Sequence, residues 1–156
     1  MWKQLAGSGW EIVKFIVIVL LVVIPIRTYV AQPFIVSGAS MEPTFNNREY
    51  LIIDELSYQF REPRRGEVVV FRYPEDPNKH FIKRIIGLPN ETLVIQNGQV
   101  KIETASDEMI INEPYIREPF DDDDRVILGA DEYFMMGDNR LYSLDSRNWG
   151  PLPSQL

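Results

Sequence analysis

Ile95-Gln96-Asn97-Gly98-Gln99-Val100 decides the fold class, because an Asn-Gly pair stands between two runs of strand-forming residues. A two-residue type I′ turn needs a positive φ at both central positions, and Asn and Gly adopt it at low cost. The flanking runs, ETLVIQ and QVKIE, are rich in β-branched residues. They predict two antiparallel strands joined by a tight hairpin.

The same pattern continues in both directions along the chain. From Phe34 onward, short β-branched and aromatic runs alternate with turn residues: FIVS, EYLIID, GEVVVFRYP, HFIKRIIG, ETLVIQ, QVKIE, EMIIN, RVIL and EYFMMGD. They predict a mainly β fold, a compact domain of antiparallel sheets over residues 31–156. One helical turn is expected at Glu55–Phe60. Asp121–Asp124 is interpreted as a solvated loop, with a calcium site as the alternative.

An apolar segment precedes the β-rich part. Residues 10–30 read WEIVKFIVIVLLVVIPIRTYV, close to the roughly 20 residues that cross a hydrocarbon core as a helix. We predict a single transmembrane helix there, after an N-terminal tail of residues 1–9, with Trp10 and Tyr29 at the two interfaces. A cleaved secretory signal is the alternative. The run lacks a clear small-x-small cleavage site, which favours the anchor.

Composition excludes several classes of function. Lys and Arg number 16 against 23 Asp and Glu, a net charge of −7, which argues against nucleic acid as a partner. The chain has no cysteine, so a thiol nucleophile and a zinc-thiolate site are excluded. His80 is its one histidine, which excludes a clustered histidine metal site within one chain. We therefore predict no metal and no cofactor.

A serine in a run of small residues follows the first predicted strand. The stretch Ser37-Gly38-Ala39-Ser40-Met41-Glu42-Pro43-Thr44 leaves the Ser40 hydroxyl unshielded and lets the backbone approach a substrate. The same residue types form ordinary turns, which is the alternative interpretation. A serine hydroxyl is a weak nucleophile that needs an adjacent base. With His80 the sole histidine, lysines become the candidate bases.

Lys83 is the strongest candidate among the lysines. In the run HFIKRIIG, the period of two places Phe81, Lys83 and Ile85 on one face, so the ammonium shares an apolar face. Desolvation there can lower a lysine pKa from about 10.4 by several units and yield a general base. The alternative is an edge-strand lysine that protects against aggregation, the role expected for Lys79 and Lys101.

A third cluster follows the last apolar run. Residues 137–147 read GDNRLYSLDSR and are dense in hydrogen-bonding groups. Asp145 and Arg147 are predicted to form a local, structural ion pair. Ser143 is predicted to hold the amine of Lys83 toward the nucleophile, as a third group that orients the base. A plain polar loop is the alternative.

These three clusters, in this order behind one apolar segment, resemble the type I signal peptidases, bacterial leader peptidases that remove signal peptides from exported proteins. The segments that look like the family's conserved boxes are Ser37 to Thr44, Arg65 to Phe71, Lys83 to Pro89 and Gly137 to Arg147. They extend over nearly the whole β-rich part. Four boxes in the family's order behind one span make the resemblance specific.

The resemblance implies a role for each matching residue. Ser40 would be the nucleophile, Lys83 the general base, and Ser143 the residue that positions Lys83. Met41 would pack at the site. The N–H of Ser40 itself would help to form the oxyanion hole, where preorganised donors meet the developing charge.

The remaining matches and departures concern the edges of the site. Asp145 and Arg147 are implied to support the loop of Ser143. Some family members carry a serine two residues before the nucleophile as a second oxyanion donor. Gly38 stands here instead, which implies reliance on backbone groups or water. Members usually continue past Trp149 into a further strand, so an incomplete last sheet edge is expected in a chain that ends at Leu156.

The resemblance also implies substrate and location. The substrate would be the signal peptide of a preprotein, with small side chains at the first and third positions before the cut, bound by strand addition. A lipid bilayer would be the second partner, and the anchor would keep the site beside a substrate held in the same membrane. The implied location is the plasma membrane, single-pass, with the catalytic domain on the extracytoplasmic side. A monomer is expected.

Two other functions remain open at the level of sequence. A self-cleaving repressor of the DNA-damage response has similar serine and lysine motifs, but the apolar segment, the acidic charge and the lack of a helix-turn-helix pattern count against it. A non-enzymatic anchored β-domain that binds peptides along a sheet edge is the alternative from a different class.

Overall fold

The structure is a computed structural model that describes residues 2–29, 31–54, 56–103, 107–118 and 120–155. The elements are α1 (Trp2–Tyr29), β1 (Ala31–Ile35), β2 (Tyr50–Asp54), β3 (Val68–Tyr73), β4 (Asp76–Gly87), β5 (Thr92–Gln96), β6 (Gln99–Glu103), β7 (Glu108–Ile110), β8 (Asp124–Ile127), β9 (Glu132–Met136), α2 (Ser146–Trp149) and β10 (Leu152–Pro153). Short 3-10 turns lie at Ser57–Gln59 and Arg140–Tyr142. All strand pairs with a described register are antiparallel.

The predicted mainly β fold is confirmed, and each predicted run contains or overlaps a strand. The Asn-Gly hairpin joins β5 to β6 with Gln96 opposite Gln99, and Asn97 and Gly98 both have positive φ, 51° and 71°. The expected turn at Glu55–Phe60 is present as the 3-10 turn at Ser57–Gln59, while Glu55 lies outside the described residues. Sequence reasoning missed β10, because two residues are too short to show a period.

Two four-stranded sheets build the larger of two compact units, which comprises residues 35–50 and 63–156. One sheet has the order β10-β9-β4-β3 and the other β7-β6-β5-β8. Strand β4 contributes residues to two hydrophobic clusters, one on each of its faces, because neighbouring residues of a strand point to opposite faces. Ile85 packs with Met135 in one cluster, and Ile86 packs with Leu93 and Phe134 in the other. The long strand β4 is thereby fixed from both sides.

The smaller unit comprises residues 1–34 and 51–62 and contains α1 and most of the β1-β2 pair. The predicted N-terminal helix is confirmed, and it extends from Trp2 to Tyr29 with Pro25 inside it. Within the described part of the chain, no helix combines the length and apolar character needed to cross a membrane. Val30 and the side chain of Tyr29, the predicted end and interface marker of the span, lie outside what the structure describes.

Candidate active site

The centre of the site is a serine and a lysine that come from different elements. Ser40 lies in the turn after β1, and Lys83 lies in the middle of β4. Lys83 Nζ donates a hydrogen bond of 2.7 Å to Ser40 Oγ and one of 3.1 Å to the carbonyl oxygen of Ile82. Strand geometry explains the approach, because β4 is held between β3 and β9 and presents Lys83 on the face that carries Ile85.

Burial changes the chemistry of that lysine. Lys83 is 4% exposed, and its burial lowers the pKa from 10.5 to about 8, against the charges of Asp145 and Asp138, which act to raise it. The Phe81 ring lies 5.3 Å from Nζ and covers the amine on the apolar side. The neutral fraction of the amine grows as the pH approaches 8, and the neutral form has the lone pair that a general base requires.

The turn that carries Ser40 is held in place by the loop after β9. The N–H of Asn139 donates to the carbonyl oxygen of Ser40 at 3.1 Å, and its side-chain amide donates to that of Ala39 at 3.1 Å. Met41 is buried, 1% exposed, and fixes the turn from the interior. Gly38 has a φ of +100°, and its N–H donates to Asn47 Oδ1 at 3.0 Å.

An ion pair beside Lys83 joins β4 to the same loop. The Arg84 guanidinium donates to Asp138 Oδ1 at 2.8 Å, and the Thr44 hydroxyl donates to Asp138 Oδ2. Asp138 is 2% exposed, so its charge acts at short range in a poorly screened environment. The site thus places a fixed carboxylate near the amine of Lys83.

The predicted pair between Asp145 and Arg147 is present, with Arg147 Nε donating to Asp145 Oδ1 at 2.8 Å. Asp145 also caps α2 and accepts a 3.0 Å hydrogen bond from the Gly137 N–H. The Ser143 hydroxyl oxygen is buried and has no hydrogen-bond partner among the described residues. It lies against Gly137, since a Cβ built there would be 2.1 Å from Ser143 Oγ and 2.5 Å from Ser40 O.

Sequence reasoning identified the serine and the lysine but missed Asn139, Arg84, Asp138 and Thr44. Asn139 and Asp138 belong to the polar cluster recognised after β9, yet nothing in the cluster indicated which turn they contact. His80 is exposed on β4, at the start of the run that ends in the buried Ile85 and Ile86. Among the described residues, no group of three His, Cys, Asp or Glu side chains is placed to hold a metal ion.

A buried lysine bonded to a serine hydroxyl on a β-sheet scaffold points to the class of serine hydrolases. A family model described as signal peptidase, peptidase S26, matches residues 9–156. The chain therefore belongs to the signal peptidase family, peptidase S26, and is a serine peptidase that removes signal peptides. The two alternatives, a self-cleaving repressor and a non-enzymatic β-domain, are thereby set aside.

Individual relatives agree with that assignment. The chain is 39% identical over 152 residues to a probable signal peptidase I-2 of Synechocystis, covering 93% of this chain and 67% of the relative. It is 35% identical over 157 residues to signal peptidase I of Bacillus amyloliquefaciens, covering 94% and 80%. A crystal structure of a signal peptidase I from Enterococcus faecalis aligns with a TM-score of 0.53 at 25% identity, covering 61% of this chain and 92% of that one.

Proposed function

We propose that Ser40 is the nucleophile and Lys83 the general base of this peptidase. The observation that carries the proposal is the 2.7 Å contact between Lys83 Nζ and Ser40 Oγ, made by an amine that is 4% exposed. The lowered pKa of about 8 supports it, because a base must be neutral at working pH to accept a proton.

The reaction proceeds by acyl transfer. Neutral Lys83 takes the proton of the Ser40 hydroxyl as Oγ attacks the scissile carbonyl carbon and forms a tetrahedral oxyanion. The carbon–nitrogen bond then breaks, and the protonated amine of Lys83 gives its proton to the leaving nitrogen. Water then attacks the resulting ester while Lys83 accepts a proton from it, and Lys83 returns that proton to Ser40 Oγ as the ester carbon–oxygen bond breaks.

The oxyanion needs preorganised donors. The Ser40 N–H donates to no described residue, so it stands available for that role, whereas the Gly38 N–H is already bonded to Asn47. Ser143 is the proposed positioning residue for Lys83, because its buried hydroxyl packs against Gly137 beside the Ser40 turn and has no described hydrogen-bond partner. Asp145 and Arg147 hold the loop that carries Ser143.

The dyad is tested by Ser40→Ala and Lys83→Ala in cleavage of a preprotein in detergent. Ser40→Ala removes the oxygen that attacks the substrate, and Lys83→Ala removes the amine that accepts its proton. We expect each to lower kcat by at least about 10³-fold. His80→Ala and Lys79→Ala are matched controls on exposed residues of β4, and both should cleave at the wild-type rate. Loss of cleavage in His80→Ala alone would assign the base to the imidazole and overturn the dyad.

The proposal extends to location. The chain would divide into a tail of residues 1–9, a single transmembrane helix at 10–30, and the peptidase domain at 31–156 on the extracytoplasmic side of the plasma membrane. From Phe15 to Ile24 the side chains of α1 are apolar and exposed, an arrangement that water disfavours and a bilayer accommodates. Lys14 pairs with Glu11 at 2.6 Å near one end, which reduces the cost of both charges at a membrane interface.

Preproteins and the bilayer are the proposed partners of a monomer that does not bind nucleic acid. The acidic balance of the chain, 16 basic against 23 acidic residues, supports the last point. A substrate segment with small side chains before the cut would bind in extended form along a sheet edge, beside the dyad. Cleavage of a peptide series that varies those two positions tests the preference for small side chains.

A further inference from the structure

A segment outside the four boxes that resemble the signal peptidase family contacts the loop after β9, residues 137–147, through charged groups. It follows β7 and contains the sequence Asn112-Glu113-Pro114-Tyr115. The side chain of Glu113 is 8% exposed and forms an ion pair with the guanidinium of Arg140, whose side chain is 1% exposed. The proposed function assigns nothing to Glu113 or Tyr115.

Arg140 links this segment to the nucleophile turn. Its Nε donates to the carbonyl oxygen of Gly137 at 3.1 Å, and its own carbonyl oxygen accepts a 2.7 Å hydrogen bond from Arg147. Arg140 directly follows Asn139, which holds the carbonyl oxygens of Ser40 and Ala39. The Arg140 guanidinium therefore bonds the same short loop whose next residue back, Asn139, holds the Ser40 turn.

Glu113 is the one described carboxylate that pairs with Arg140. The Nη1 of Arg140 is buried and has no hydrogen-bond partner in the described part of the chain, so the guanidinium relies on Glu113 for its charge compensation. A buried cation deprived of its partner is strongly destabilised and moves toward solvent or another acceptor. Loss of the Glu113 charge would thus displace the loop of residues 137–140.

Tyr115 connects the same segment to the base side of the site. Its hydroxyl donates to Glu113 Oε1 at 2.7 Å, and its ring lies 4.0 Å below the guanidinium of Arg84. Arg84 follows Lys83 on β4 and pairs with Asp138. Glu113 and Tyr115 therefore contact both arginines of the site, one beside the base and one beside the loop that supports the nucleophile.

We propose that Glu113 is a positioning residue of the peptidase, which acts through Arg140 and is oriented by Tyr115 to hold the loop of residues 137–140 against the Ser40 turn. The proposal deepens the assignment of Ser40 and Lys83 and rests on it. Glu113 touches neither of them, and its effect is to keep Ser40 Oγ and Lys83 Nζ at reacting distance under a water-excluding loop.

The test compares Glu113→Gln with Glu91→Gln in the full-length protein. Gln keeps the shape of Glu113 and removes its charge, and a displaced loop is expected to lower kcat by about 10-fold to 100-fold with KM within about 2-fold. Glu91 is a matched control, because its carboxylate also pairs with a part-buried arginine, Arg65, at side-chain exposures of 22% and 21%, and its other described bond is to the Leu88 N–H. Rates are divided by the folded fraction, measured by circular dichroism.

A pH profile separates positioning from stability alone. Lys83 is faced by Asp145, Asp138 and the Ser40 hydroxyl, and its pKa is lowered by burial. A loosened loop admits water to Lys83 and weakens the burial that lowers its pKa. The pKa of Lys83 should therefore rise, and the acid limb of kcat/KM should move to higher pH in Glu113→Gln and stay in place in Glu91→Gln. Tyr115→Phe, which keeps the ring below Arg84, should show a smaller loss in the same direction.

Coupling to Arg140 completes the test. If Glu113 acts through Arg140, the double variant Glu113→Gln/Arg140→Gln should have the same kcat as Arg140→Gln alone. Once Arg140 is gone, the loss of the Glu113 charge removes nothing further. An unshifted acid limb with wild-type kcat in folded Glu113→Gln overturns the proposal. Ser40→Ala distinguishes failure of the dyad from failure of the role of Glu113. If Ser40→Ala is active, the dyad itself is refuted. If Ser40→Ala is inactive and Glu113→Gln is unaffected, only the role of Glu113 is refuted.

Discussion

At the scale of single residues, the proposed role of Lys83 as general base predicts how the reaction depends on pH. With a pKa of about 8, close to one-tenth of the free enzyme carries a neutral amine at about pH 7. We expect kcat/KM to rise with pH and to reach half its plateau near pH 8. The measurement is kcat/KM for a fluorogenic signal-peptide substrate from about pH 6 to about pH 10. A limb near 6.5, the ordinary pKa of an imidazole, would contradict the lysine base.

The same burial makes Lys83 a cost to folding. Its pKa is 10.5 in the unfolded chain and about 8 in the folded protein, so the unfolded chain binds the proton more tightly, by about 3 kcal/mol. This cost is present in full below pH 8 and disappears as the pH rises through 10.5. Lys83→Met should therefore raise the free energy of unfolding by about 1–3 kcal/mol near pH 7, while it abolishes cleavage.

Urea unfolding of the two proteins at several pH values checks the prediction. The advantage of Lys83→Met over the wild type should shrink between pH 8 and 10.5, because the unfolded wild type also loses its proton as the pH approaches 10.5 and folding no longer requires the amine to release one. Lys79→Met is the control on an exposed lysine of the same strand and should leave stability nearly unchanged. A constant difference across this range would mean that packing, and not the buried ammonium, separates Lys83→Met from the wild type.

At the scale of elements, the close approach of the loop after β9 to the Ser40 turn requires glycine at position 137, because there is no room there for a side chain. A Cβ at Gly137 would meet Ser143 Oγ at 2.1 Å and the Ser40 carbonyl oxygen at 2.5 Å, closer than atoms can pack. Gly137→Ala should push the loop away from the Ser40 turn, lower kcat by about 100-fold and destabilise the fold by about 1–3 kcal/mol.

The matched substitution is Gly129→Ala. A Cβ there would lie 3.2 Å from the end of the flexible Glu132 side chain, which can move aside. We expect near-wild-type cleavage from this variant in the same peptide assay and a small change in melting temperature. Full activity in a folded Gly137→Ala would show that the close approach of the loop to Ser40 is unnecessary for catalysis.

Elements are also where prediction from sequence succeeded and where it ended. The β5–β6 hairpin follows from Asn97 and Gly98, and the burial of Lys83 follows from the period of two in β4, because both depend on residues a few positions apart. Asn139 bonds Ala39, 100 positions away, and Arg84 bonds Asp138, 54 positions away. Those contacts depend on how segments distant in sequence pack together, which no local pattern records.

At the scale of the whole molecule, the proposed dyad and the proposed membrane anchor belong to different compact units. Every residue of the proposed dyad and of its supporting loop belongs to the unit of residues 35–50 and 63–156. That unit has two hydrophobic clusters of its own, and β4 contributes to both. The unit that contains α1 instead exposes apolar side chains along the helix. Attachment to a bilayer and peptide cleavage should therefore respond to different substitutions.

Leu20→Arg tests that separation. Leu20 is 50% exposed in the middle of the proposed span of residues 10–30, and an arginine at the centre of a bilayer-embedded helix costs about 2.5–3.5 kcal/mol. We expect flotation with liposomes to fall sharply, while cleavage of a short peptide in detergent stays within about 2-fold of wild type. Ile127→Arg, at a 67% exposed position of β8, is the matched control and should float normally. If Leu20→Arg floats as well as the wild type, α1 does not anchor the protein, and proximity to a membrane-held substrate must arise elsewhere.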